Sequence, residues 1–217
     1  MRKHVESELT PDNHRMEAFS DGVFAIVVTI MVLEIRIPDT LAFGTDRAVL
    51  GDFVTYLGTY ALSFLVIVNL WTSHHYLLFT VSNPARTTLW FNSLLLFTVT
   101  LVPVATRFLG MHPTSPRAAA AYGSVAAVCT AAFMLLRSHA ARTTRNDVHR
   151  GIHRRVIRRT WVFLAIYIAS VPLAFANIWL AWVCFVIVPP MLFLPVIRVP
   201  LNEAHGMHRQ AFERSCP

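Results

Sequence analysis

Six stretches of this chain meet or approach the length of about 20 mostly apolar residues that a helix needs to cross the hydrocarbon core of a bilayer. They are Phe19–Ile37, Phe53–Phe79, Leu89–Leu109, Ala118–Leu136, Trp161–Ala176 and Ile178–Ile197. With 55% hydrophobic and only 14% charged residues, the composition is not that of an ordinary soluble domain. The expected fold class is therefore an all-α membrane protein with six transmembrane helices. The fifth segment is short and contains Pro172, and Asn177 alone separates it from the sixth, which allows only a tight hairpin. Pro189, Pro190 and Pro195 should kink the sixth, since membrane helices tolerate proline where neighbours satisfy the freed carbonyls. Six spans consume nearly the whole chain. The expected division is an N-terminal tail (1–14), one six-helix membrane domain (15–197) and a C-terminal tail (198–217), with no separate soluble domain. The first segment carries Asp21 and Glu34 and lacks a small-residue cleavage site, so it is expected to stay as a mature helix rather than a signal peptide.

Orientation follows from the arginines and the single lysine. Arg2, Lys3 and Arg15 precede the first span, Arg86 follows the second, and Arg198, Arg209 and Arg214 follow the sixth. The segment between spans four and five, read as a loop, holds Arg137, Arg142, Arg145, Arg150, Arg154, Arg155, Arg158 and Arg159. The alternate connections are poorer in net positive charge: Arg36 and Arg47 stand among Asp39, Asp46 and Asp52, and the third has Arg107 and Arg117. Six spans with both termini cytoplasmic put every strongly basic segment on one side. The net charge of +7 then reports topology and proximity to anionic headgroups, and no nucleic-acid partner is expected. Arginine outnumbers lysine eighteen to one, the usage of a GC-rich bacterial genome and nothing firmer; the expected location of such a multi-pass chain is a bacterial plasma membrane.

Enzyme chemistry finds little support. The chain has no nucleophile elbow, no glycine-rich phosphate loop and no paired carboxylates at useful spacing. Cys129, Cys184 and Cys216 lack metal-type spacing, and the first two fall inside spans as small apolar side chains. His74 and His75 are adjacent, so on a helix they diverge by about 100° and cannot chelate one ion as an (i, i+4) pair would. No cofactor and no resident metal is expected.

The most informative span is the first. Arg15-Met16-Glu17-Ala18-Phe19-Ser20-Asp21 runs straight into the uncharged segment Gly22–Leu33, closed by Glu34-Ile35-Arg36. A carboxylate inside such a segment costs several kcal/mol unless paired, which makes Asp21 a functional-site candidate. At about 100° per residue, Gly22, Ile26, Thr29, Ile30 and Leu33 share one narrow face, and Ser20 and Asp21 fall outside it. Asp21 needs a partner on another span. Candidates are Trp71, His74 and His75, which follow helical spacing in span two, and Trp90 and Asn92 at the start of span three. An indole, imidazole or carboxamide donor to Asp21 and Ser20 would lock span one against spans two and three. Asp21 is read as that anchor rather than as an ion ligand. Glu34 is either an interfacial acid or a cation-attracting mouth, and Arg15 either pairs with an acid or marks orientation.

The words Arg15-x-x-x-Phe19-Ser20-Asp21-Gly22-Val23-Phe24-Ala25-Ile26, Leu33-Glu34-Ile35, Trp71-x-x-His74-His75-x-x-x-Phe79, Asn92, Leu101-x-Pro103 and Phe108-Leu109-Gly110 together resemble the transmembrane protein 175 family of potassium channels in its short prokaryotic form. The second half of the chain matches only in its pattern of spans. The resemblance implies a homotetramer whose central pore is lined by span one. It implies that Ile26, Ile30 and Leu33 form apolar layers facing the axis, with Thr29 as a hydroxyl layer. It also implies that Arg15, Phe19, Ser20, Asp21, Trp71, His74, His75, Trp90 and Asn92 make up the structural motif and polar network. The potassium filter word Thr-Val-Gly-Tyr-Gly is absent, so selectivity cannot come from such a ring of carbonyls. The expected function is passive potassium conduction, modestly selective over sodium. Potassium ions, lipid and copies of the chain itself are the expected partners. The competing reading is a proton-coupled secondary transporter using Asp21 and His74 as a relay.

Overall fold

A computed structural model describes residues 13–35, 47–78, 80–81, 85–143 and 147–193. These residues form helices α1 (Asn13–Leu33), α2 (Arg47–Leu78), α3 (Arg86–Val99), α4 (Val102–Met111), α5 (Pro116–Thr143), α6 (Asp147–Ala176) and α7 (Ile178–Phe193). Of the expected tails, 1–14 and 198–217, residues 1–12 and 198–217 lie outside the described residues, as do Phe79 and the last residues of the sixth expected span, whereas Asn13 and His14 open α1.

Among the described residues, five segments are long and apolar enough to cross a membrane: Asn13–Leu33, Val49–Leu78, Arg86–Met111, Pro116–Arg142 and Arg154–Ala176. The sixth apolar helix, Ile178–Met191, is shorter. The all-helical membrane architecture expected from hydropathy is thus present. The third span is two helices in line, and the cause is Pro103 in the first turn of α4. Proline has no N–H to offer the carbonyl of Val99, and its ring crowds that carbonyl. The chain steps across Thr100 and Leu101, where Leu101 N–H donates to Thr98 O at 3.2 Å and Ala105 N–H resumes the ladder on Leu101 O at 3.1 Å.

Two expectations change. The basic segment Arg137–Arg159 is not a loop. Helix α5 runs on to Thr143 and α6 starts at Asp147, because arginine is a good helix former and nothing breaks either helix at the membrane boundary. Arg137 is not a solvated topology marker either. It is 5% exposed, its Nη2 donates to the Ser73 carbonyl at 3.0 Å, and its guanidinium lies 5.0 Å from the centre of the Phe133 ring. The tight hairpin at Asn177 is present. Asn177 N–H closes the end of α6 on Leu173 O at 2.8 Å, and its side-chain oxygen accepts Trp179 N–H at 2.9 Å, which caps α7.

Helix α5 is the centre of the bundle. One apolar core joins its Cys129, Phe133 and Leu136 to Phe24, Val27 and Met31 of α1 and to Ile67, Leu95 and Val99. A second joins its Ala118, Ala119 and Tyr122 to Leu109 of α4, Tyr167 of α6 and Phe185 of α7. Among the described helices, α5 and α6 make the most extensive contact, which Gly123 permits, since a side chain there would meet Ser170 and Phe185. Between the cores, Thr106 donates to Ser63 at 2.9 Å and Ser63 lies 3.1 Å from the Tyr122 hydroxyl, so α2, α4 and α5 share a buried chain of hydroxyls.

Candidate functional site

Helix α1 has two faces of opposite character. Met16, Ser20, Phe24, Val27 and Met31 recur at helical spacing and are buried. On the opposite side, Ile26 is 58%, Ile30 43% and Leu33 80% exposed, and Gly22 and Thr29 are exposed with them. The chain therefore leaves uncovered the stripe that helical spacing groups together. Val32 and Ala25 widen it. The Thr29 hydroxyl donates back into its own helix, 2.9 Å from Ile26 O and 3.1 Å from Ala25 O, and its oxygen lone pairs remain on the exposed side.

The polar residues of α1 meet α2 and α3. Ser20 donates to Met16 O at 2.8 Å and accepts from the Asn92 amide at 2.9 Å. The Asn92 carbonyl oxygen lies 2.7 Å from His74 Nε2. With the amide nitrogen committed to Ser20, the consistent arrangement has His74 donating from Nε2. All three side chains are buried. At the edge of this network the Trp71 indole donates to Asp21 Oδ1 at 2.8 Å, and His75 Nδ1 lies 3.3 Å from Glu17 Oε1. Trp71 and His75 stack at 5.9 Å between ring centres, and Phe24 lies against His74 at 5.5 Å. The pairing is regular. Positions 17, 20 and 21 of α1 meet 75, 74 (through Asn92) and 71 of α2, the register of two antiparallel helices each presenting an (i, i+3, i+4) set.

Two predicted donors thus take the predicted acceptors: the indole serves Asp21 and the carboxamide serves Ser20. The adjacent histidines point to different partners, and among the described residues no cluster of metal-ligating side chains occurs. Among the described residues, three grouped with the network make no bond to it. Trp90 is 71% exposed, because it stands two residues before Asn92 and so about 200° around the helix from it. Arg15 and Phe19 (63% exposed) lie on the uncovered face of α1, in line with Gly22 and Ile26. Conversely, three residues that hold α1, one in the network and two at its other end, escaped sequence reasoning. Glu17 was visible as the residue four before Asp21, matching the spacing of Trp71 and His75. Arg107 and Tyr56 carried no such signal. Arg107 pairs with Glu34 (Nη1 to Oε2, 2.9 Å) and the Tyr56 hydroxyl donates to the Glu34 carbonyl at 2.9 Å. Glu34 is therefore not a free acid at the end of α1.

The described residues define a multi-pass, all-α membrane protein whose first helix is bolted to the bundle on one face and bare on the other. The chain belongs to the TMEM175 family. The family described as endosomal/lysosomal potassium channel TMEM175 matches residues 15–103. A potassium channel of Chamaesiphon minutus is 33% identical over 193 residues, covering 84% of this chain and 95% of that one. The crystal structure of a lysosomal potassium-selective channel TMEM175 homolog from the same organism superposes with a TM-score of 0.74 at 29% identity, over 85% of this chain and 97% of that one. The endosomal/lysosomal proton channel TMEM175 of Rattus norvegicus is 34% identical over 113 residues, 48% of this chain but 22% of the rat protein.

Proposed function

We propose that this protein is a passive, modestly potassium-selective cation channel of a bacterial plasma membrane, in which four copies surround a pore lined by α1. The observation that carries the reading is the bare apolar stripe of α1 opposite its network-bound face. A helix end held through Ser20, Asp21 and Glu17 presents the residues beyond it in a set orientation, and one candidate wall per subunit needs symmetry mates to enclose a pathway. The similarity to channels covering most of the same length supports the same reading. The Arg-rich ends of α5 and α6 and the N-terminal arginines support both termini on the cytoplasmic side.

In such a pore Ile26, Ile30 and Leu33 form successive apolar rings and Thr29 contributes hydroxyl oxygens between them. No preformed cage of carbonyls replaces the hydration shell. A cation sheds part of its water at the Ile26 ring, and potassium, more weakly hydrated than sodium, does so at lower cost. The same rings close the pore when they dewet. Asp21 and His74 act as struts rather than as a proton relay, since Asp21 is bonded to Trp71 and His74 to Asn92.

Flux of potassium and of sodium into proteoliposomes, with a protonophore present, tests the proposal. Potassium flux above sodium flux is expected, and Ile26→Asn should raise conductance and blur the discrimination. Flux that tracks the proton gradient with saturable turnover would establish the transporter instead, and an Ile26→Asn protein that kept wild-type sodium exclusion would remove Ile26 as the filter.

A further inference from the structure

The network behind Ser20 and Asp21 holds one end of α1, and the other end is held by a separate device. At the C-terminal end the helix loosens: Glu34 N–H reaches Ile30 O at 3.3 Å and Ile35 N–H turns to Val32 O at 3.2 Å. The carbonyls of a last turn have no partners within the helix. Here the Tyr56 hydroxyl of α2 takes the carbonyl of Glu34, and Arg107 of α4 takes its carboxylate, both at 2.9 Å. A cation at this position also complements the negative end of the helix dipole. Tyr56 passes close to α4 at Gly110, where a Cβ would come 2.5 Å from the tyrosine ring. Any side chain at 110 would push the ring off its path. A cleft of about 270 Å³, into which Asp52 and Met111 also face, surrounds the three side chains.

We propose that Tyr56, Arg107 and Gly110 form a clasp that positions the outer end of the pore helix, and through it the Leu33 ring. The proposal rests on the channel reading above and assigns the clasp a share in setting how narrow that ring is. Three observations carry it. Leu33, the most exposed large apolar side chain of α1, directly precedes the clasped residue. The described contacts of α1 between Asp21 and Glu34 are apolar packing, through Phe24, Val27 and Met31, which is non-directional, whereas the two bonds at Glu34 are directed. The ion pair itself is about one-third exposed on both sides, so its Coulombic worth is small and its geometry is what matters. These are positioning residues, since none of them lies on the bare stripe.

The clasp acts through position and not through charge, and Tyr56→Phe separates the two because it removes one hydroxyl and no charge. In planar bilayers, Tyr56→Phe, Gly110→Ala and Arg107→Gln should each change the potassium-to-sodium permeability ratio or the open fraction about threefold, the change that loss of one net hydrogen bond brings to a two-state equilibrium. Arg107→Lys should retain most of the wild-type value. A second readout does not require conduction: a cysteine introduced as Leu33→Cys should react with a water-soluble maleimide at a rate that Tyr56→Phe alters by a similar factor, with the parent protein as the blank. If Tyr56→Phe and Gly110→Ala match wild type in both readouts, while Arg107→Gln changes conductance only at low salt, Glu34 acts as a charge at the mouth and the clasp is wrong. A wild-type protein that carries no potassium sinks the channel reading, and the Leu33→Cys labelling rates then decide the clasp alone.

Discussion

At the scale of the residue, Asn92 holds the most consequential position. Its carboxamide is the only link by which Ser20 of α1 and His74 of α2 reach one another among the described contacts, and both of those are fully buried. Replacing Asn92 by Leu keeps the branched shape but strands the His74 N–H and takes the donor from the Ser20 oxygen, while the Ser20 hydroxyl keeps its bond to Met16 O. Leaving such groups unsatisfied costs about 2 kcal/mol, so the apparent unfolding midpoint of the detergent-solubilised protein should fall by about 5 °C. Trp71→Phe removes the indole donor to Asp21 at the half-exposed edge of the same network, where water can replace it. It should cost about half as much. Equal effects of the two substitutions would show that burial does not grade the network.

Elements impose a different requirement, closeness of backbone. Helices α5 and α6 meet at Gly123, where a Cβ would collide with the Ser170 hydroxyl and stand 3.5 Å from both the Phe185 ring and the Tyr167 carbonyl. Ser170 cannot swing away freely, because its hydroxyl is bonded to Tyr167 O at 2.7 Å. Gly123→Ala should therefore destabilise the protein by about 1–3 kcal/mol, as overpacking does. Adding Ser170→Ala should return most of that loss, and thermal unfolding of the single and double variants measures it. A double variant no better than Gly123→Ala would place the clash on the Phe185 side. The same demand for continuity explains the third span: Pro103 interrupts the ladder, yet α3 and α4 stay in line because Leu101 and Ala105 carry the backbone bonds past it.

For the whole molecule the decisive matter is what covers α1. Phe19, Ile26 and Leu33 are about as exposed in the single chain as Trp179 of α7, which is 68% exposed. If the α1 stripes of several copies surround an axis while α7 faces lipid, single cysteines at the two places behave differently. In a background carrying Cys216→Ser, oxidation in proteoliposomes should cross-link Leu33→Cys into covalent dimers, whereas Trp179→Cys should stay monomeric on a denaturing gel. The reverse pattern would put α7 at the subunit interface and α1 in lipid.

Hydropathy alone determined that this is a multi-pass helical protein, because an apolar run of that length has few other fates in water or lipid. The spacing of Gly22, Ile26, Thr29, Ile30 and Leu33 determined that they share a face, and the burial cost of Asp21 determined that it needs a donor. Those are local facts, set by a period of about 3.6 residues and by the chemistry of one side chain. Which donor it takes is not local. Trp71, His74, His75, Trp90 and Asn92 were all chemically suitable, and only the antiparallel register of α1 with α2 gives the indole to Asp21, gives the amide to Ser20, and turns Trp90 away. Arg107 and Arg137 show the same division. Each reads in sequence as one more cation near a membrane boundary, and only the packing of α4 against α1 and of α5 against α2 turns the first into a partner of Glu34 and the second into a buried donor to Ser73. Distance along the chain carries no information about such pairs, since the contacts form between helices that the bundle brings together.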